Sequence, residues 1–248
     1  MRLSKSWVIA TKDFKVFLKQ KKILYSITVA PIIVSILIPT VISFAGQNKG
    51  GHGLAATELT VLLPAFAFFY LILAGYIPTT IASYSIVGEK VEKSLERLLA
   101  TPTTDSEILL GKGISAFLPS MGAIFGGSVI FMVLIDLVTQ PKLGYYYFPN
   151  WNTGLVFFLL VPLTVVMSVG WNVIVSSRVT DVRVAQQIGI LLILPLAGIY
   201  VGGELNLIQL GDTNTLLIIA GILFAVDLLL LYAARATFRR EEILTKWK

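Results

Sequence analysis

Six long runs of apolar residues, separated by short polar blocks, dominate the pattern along the chain. The runs cover 23–44, 59–87, 114–138, 154–177, 188–201 and 213–234. A hydrocarbon core of about 30 Å needs roughly 20 helical residues at about 1.5 Å each, and the six runs are read as long enough to span, although the fifth is short. None shows the apolar/polar alternation over about ten residues that a transmembrane β-strand carries. Helices satisfy their own backbone polar groups in lipid. The pattern therefore predicts an all-α integral membrane protein with six transmembrane helices in a single bundle over 1–248.

Two segments outside the spans also have helical periodicity. Ahead of the first span, Trp7, Ala10, Phe14, Phe17 and Leu18 recur on one face, with Lys5, Lys12, Lys15, Lys19 and Lys22 around much of the rest. This predicts an N-terminal amphipathic interfacial helix within 1–22, aromatics in the acyl boundary and lysines at anionic headgroups. Residues 235–248 form a charged tail. Between spans two and three, Val87, Val91, Leu95, Leu98 and Leu99 share one helical face, and Glu89, Glu92, Lys93, Glu96 and Arg97 form the other. Glu89 and Lys93 stand at i,i+4 in the favourable order. Pro102 stops that helix. A new helix is expected from Asp105, with Glu107 in its first turn, where the macrodipole favours acids. A short, stiff amphipathic helix thus projects between two spans.

Composition and charge then set class and direction. The chain is 56% hydrophobic and only 14% charged, against about a quarter charged for soluble domains. Of its 20 Lys and Arg, 18 lie in the leader, the 2–3 loop, the 4–5 loop and the tail; only Lys49 and Lys142 lie on the other side. The positive-inside rule places both termini in the cytoplasm. The net charge of +6 is thus a topology signal, and no nucleic-acid partner is needed to explain it. The first apolar run is too long for a signal-peptide core, so an uncleaved first span is expected.

Candidate chemistry is sparse. There is no Cys and a single His, His52, in a Gly-rich outer connector, so neither a thiolate nor a His-cluster metal site is expected. No nucleophile–base set suggests a catalytic residue. Gly111-Lys112-Gly113 lacks the spacing and hydroxyl of a phosphate-cradling loop and reads as a span entry with its lysine at the headgroups. Asp227, in the last span, is costly in lipid and should pair; Arg235, two turns on, is the expected partner. Asp136 is expected at the outer interface. Gly122 and Gly126 allow close helix approach, and the apolar stretch 205–210 is expected to fold back toward the outer leaflet.

The run from Glu89 through Pro102, followed by Glu107 and Gly111-Lys112, resembles the signature of ATP-binding-cassette permeases of the type-2 exporter family. The matching positions are Glu89, Ser94, Glu96, Leu98-Leu99, Thr101-Pro102, Glu107 and Gly111-Lys112; Lys93 departs from it, since many members carry Gly there. The leading helix, six spans and short 4–5 loop extend the likeness over nearly the whole chain. The short outer segment between the last two spans implies reduced re-entrant helices. The resemblance implies a plasma-membrane, multi-pass, prokaryotic permease whose ATPase is a separate nucleotide-binding subunit, with ATP and Mg bound there and no cofactor on this chain. It implies a second permease copy, as homodimer or heterodimer, within the bilayer. It makes Glu89, Val91, Glu92, Leu95, Glu96, Leu98, Leu99, Thr101 and Pro102 the ATPase-coupling helix, and Arg178, Asp181 and Arg183 a second cytoplasmic contact. The competing expectation is an ion-gradient-driven transporter or channel with no ATPase; Asp227 is the one clear intramembrane acid available to it. Neither names the substrate.

Overall fold

The computed structural model describes residues 3–45, 56–91 and 103–237. All regular structure among the described residues is helical, and six helices are long and apolar enough to cross a membrane. Helix α1 spans Leu3–Lys19 and α2 spans Lys21–Ala45. Helix α3 spans Ala56–Ser83 and continues through a π turn, Tyr84–Gly88, into Glu89–Val91. Helix α4 spans Asp105–Leu143. Helix α5 runs from Trp151–Leu155 through a second π turn, Val156–Leu160, into Val161–Arg178. Helices α6, Val182–Ile190, and α7, Ile193–Glu204, form one broken span, and α8 is Thr213–Thr237.

The spans of α3 and α5 are the most buried and form the centre of the bundle. Tyr70 fills that centre, its ring 5.4 Å from Phe131 and 5.3 Å from Phe157. Its hydroxyl lies 2.8 Å from Ser35 Oγ, which donates to Gly127 O at 2.7 Å, so one polar node ties α2, α3 and α4 together. A Cβ on Gly127 would stand 2.6 Å from Pro31 Cβ, so only glycine permits this crossing. A second node joins α3 to α5: Asn172 Nδ2 donates to Thr79 Oγ1 at 2.9 Å, and Ser168 Oγ donates to Gly75 O at 2.7 Å. Groups paired in this way are affordable in lipid because their alternatives are unpaired.

Several local expectations change. Helix α4 has 39 residues, so it is about 58 Å long and extends well beyond a bilayer core. It starts at Asp105, as expected, from a capping box: Thr104 Oγ1 accepts from Glu107 N, and Glu107 Oε2 accepts from Thr104 N at 3.0 Å. The fifth span absorbs the end of the 4–5 loop, because Asp181 caps α6 by accepting from Arg183 N at 2.6 Å. Asp136, near the outer end of α4, is buried and accepts from Tyr147 N and Phe148 N, both at 3.1 Å, fixing the aromatic outer loop. The stretch 205–210 folds back onto the end of α7, with Leu207 N donating to Gly202 O at 2.8 Å. Gly122 and Gly126 are exposed with nothing within 4 Å of a built Cβ, so they pack against nothing within the described chain.

Candidate functional site

Of the segment expected to touch an ATPase, the described residues include only Glu89 to Val91 at one end, and the chain is described again from Thr103. Glu92, Leu95, Glu96, Leu98, Leu99, Thr101 and Pro102 lie outside the described residues, while Glu89 and Val91 lie within them. Both roots of this segment are thus visible, and both are fixed in the bundle.

The outgoing root is an ion cluster. The π turn of α3 delivers Ser85 and then Glu89 to the point where α1 and α4 meet. Lys112 reaches them from α4. Its Nζ donates to Ser85 O at 2.7 Å, to Ser85 Oγ at 3.1 Å and to Glu89 Oε2 at 2.6 Å. It also stands 3.5 Å from Asp13 Oδ2 on α1. Ser85 Oγ donates to Asp13 Oδ2 at 2.8 Å. Lys12 completes the set, 2.5 Å from Glu89 Oε1 and 3.6 Å from Asp13 Oδ1. Two lysines and two acids balance. The Lys112 side chain is 1% exposed and that of Asp13 5%, whereas Lys12 is 49% exposed. Lys112 therefore does not lie at the headgroups as the sequence suggested; it is a buried ammonium holding three helices. Partial burial pulls the Lys12 pKa down, but the Glu89 and Asp13 carboxylates together outweigh it and the net shift is upward.

The close approach of α1 and α4 that builds the cluster depends on Gly111. A Cβ there would lie 2.8 Å from both Ile9 Cβ and Ser6 O. Helix α1 buries Ile9, Ala10, Asp13 and Phe17 against the bundle and turns Trp7, Phe14 and Leu18 outward. Its expected single apolar face is thus divided: Ala10 and Phe17 belong to the protein contact, and the other three remain exposed.

Next to Glu89, Lys90 turns the opposite way and is 2% exposed. Its Nζ donates to the carbonyls of Ser176, Ser177 and Val179, the open C-terminal carbonyls of α5. A cation at this helix end also complements its dipole. Lys90 thereby joins the coupling candidate to the region of Arg178, Asp181 and Arg183. Of these, Asp181 is engaged as the α6 cap. The returning root is the capping box of α4, where Glu107 is 3% exposed.

Asp227 stands apart from this site. It is 3% exposed, and neither carboxylate oxygen has a hydrogen-bond partner among the described residues. Arg235 is exposed and forms no ion pair among the described residues, so the pairing expected from the sequence is not made. No group of three or more His, Cys, Asp or Glu side chains among the described residues is placed to hold a metal ion.

The periodicity of 1–22 signalled a helix, but not that Asp13 and Lys12 would be drawn into its buried contact. Nothing in the sequence singled out Ser85 either. The only available signal was a lone acid among the apolar positions of α1.

The family model described as ABC-2 type transporter matches residues 5–201, about four-fifths of the chain. No curated protein matches it.

Proposed function

The chain belongs to the ABC-2 type transporter family and is a multi-pass membrane permease; from that premise we propose that separate ATPase subunits drive it through the segment 89–102. In this reading Glu89, Val91, Glu92, Leu95, Glu96, Leu98, Leu99, Thr101 and Pro102 form the contact with the ATPase. ATP and Mg belong to that partner, and two permease copies, alike or different, line the path. Both termini and the coupling segment face the cytoplasm of a prokaryotic cell, following the lysine and arginine asymmetry.

The observation that carries this reading is the rigidity of both roots. A displacement of 92–102 by a partner acts on Glu89 and Lys90 at one end and on Thr104 and Glu107 at the other. Glu89 is bonded to α4 and, through Lys12, to α1; Lys90 is bonded to the end of α5. The push is therefore delivered to α1, α3, α4 and α5 together rather than dissipated in a loop. Lys90 also supplies the physical link to the second contact around Arg178, Asp181 and Arg183.

The test is Leu95→Asp with Leu98→Asp in tagged full-length chain, purified from its native membrane. The wild type brings down a nucleotide-binding subunit with ATPase activity. The double variant loses that subunit while its helix content and size-exclusion profile stay unchanged. Unchanged association removes the coupling assignment. A wild-type chain that transports in liposomes without any ATPase removes the whole reading in favour of an ion-gradient transporter. Asp227, without a hydrogen-bond partner among the described residues, favours that alternative, and intact transport in Asp227→Asn excludes a proton or ion step there.

A further inference from the structure

An open groove of about 210 Å³ lies between α4, α5 and α8, at the end of the bundle that carries α1. On α4 it runs from Ser106 to Phe117. Eleven residue steps at about 1.5 Å make a slot of about 16 Å, half of a hydrocarbon core of about 30 Å and so one leaflet deep. Its walls are almost wholly apolar, and Gly113 leaves it open: a Cβ there would meet nothing nearer than Val169 Cγ1 at 3.7 Å. Arg235, in the last turn of α8, lines the same end as Ser106 in the first turn of α4. Arg235 is exposed and has no acidic partner among the described residues. Beside the groove, Leu228, Leu229 and Tyr232 of α8 are exposed, so this flank faces the lipid.

We propose that this groove holds a resident anionic glycerophospholipid of that leaflet. One acyl chain lies between α4, α5 and α8, and the phosphate rests on the Arg235 guanidinium. The depth matches an acyl chain, and Arg235, the one cation among the described lining residues, stands at headgroup level, where its charge complements a phosphodiester. The slot is too small for a helix of a second copy, which is about 10 Å across with its side chains. The lipid would fill the seam between the last span and the two helices whose ends carry the ion cluster and the Lys90 contact.

The experiment is native mass spectrometry of the purified full-length chain, released from detergent after incubation with phosphatidylglycerol or phosphatidylcholine of identical acyl chains. Wild type should retain phosphatidylglycerol about five-fold better, the effect of one arginine at an anionic surface. Arg235→Gln should bring the two lipids to parity, and Gly113→Phe should abolish retention of both. Arg235 is exposed and forms no ion pair among the described residues, so its variant folds and decides the question even where Gly113→Phe does not. Equal retention by the wild type, or a preference that survives Arg235→Gln, overturns the proposal. A folded Gly113→Phe that keeps its lipid, or loses its dimer instead, also overturns it, the latter assigning the groove to a second copy.

Discussion

Removing the Lys112 ammonium is the perturbation whose effect the structure determines most fully. With Lys12, Asp13, Glu89 and Lys112 ionised, the cluster is neutral; Lys112→Met leaves it one negative charge in excess. The charge is trapped, because the Asp13 side chain is 5% exposed and that of Glu89 12%. Breaking a buried pair by removing one partner costs about 3–5 kcal/mol. Lys12 already touches both acids, at 2.5 and 3.6 Å, and compensates one of them. The expected loss is therefore about 3 kcal/mol, the low end of that range, or about two orders of magnitude in the unfolding equilibrium. Adding Glu89→Gln restores neutrality, so the double variant should be more stable than the sum of the single effects predicts, by about 1–2 kcal/mol. The assay is equilibrium unfolding in mixed micelles, read by tryptophan fluorescence. A Lys112→Met variant within about 0.5 kcal/mol of wild type, or strictly additive effects in the cycle, would refute a buried interdependent cluster.

Three further outcomes are expected. Gly111→Ala should cost about 1–3 kcal/mol by forcing α1 off α4, whereas Gly122→Ala, facing open space, should be neutral or stabilise by up to about 1 kcal/mol; the two unfolding midpoints compared side by side check this. Asp227→Leu should raise stability by about 2 kcal/mol, because it removes an acid with no partner among the described residues from an apolar helix; a loss of stability in the same unfolding assay would reveal a partner for the carboxylate. Lys90→Met should cost about 1–3 kcal/mol by stripping a charged donor from three carbonyls, and hydrogen exchange should quicken at the last amides of α5 while those of α2 stay unchanged.

The all-helical, six-span architecture was legible because it rests on one-dimensional quantities: run length, hydropathy and the placement of lysines and arginines. The family likeness was legible because its signature is contiguous, from Glu89 to Lys112. What escaped were meetings between distant parts of the chain. The periodicity of 1–22 does not single out Asp13, and Lys112 looked like a headgroup anchor. Their burial follows from the crossing of α1 on α4 at Gly111, a tertiary event that local periodicity does not encode. Arg235 was assigned to Asp227 on spacing along one helix. Eight residues place two side chains about two turns apart, yet a cation at the membrane edge is better solvated by water and headgroups than by moving inward to a buried acid. The extent of the fifth span was missed for another reason: the cap at Asp181 begins its helix outside the apolar run, where hydropathy carries no signal.

The central claim is that 92–102, rooted at Glu89 and at Thr104, is where a separate ATPase engages this permease. It is tested most directly by placing a photocrosslinking amino acid at Leu98 and, as the control, at Val41, which is exposed on α2. After illumination of native membranes, the account predicts a covalent adduct of the Leu98 probe with a nucleotide-binding subunit, identified by mass spectrometry, and none from the Val41 probe. No ATPase adduct at Leu98, or equal adducts at both positions, would contradict it.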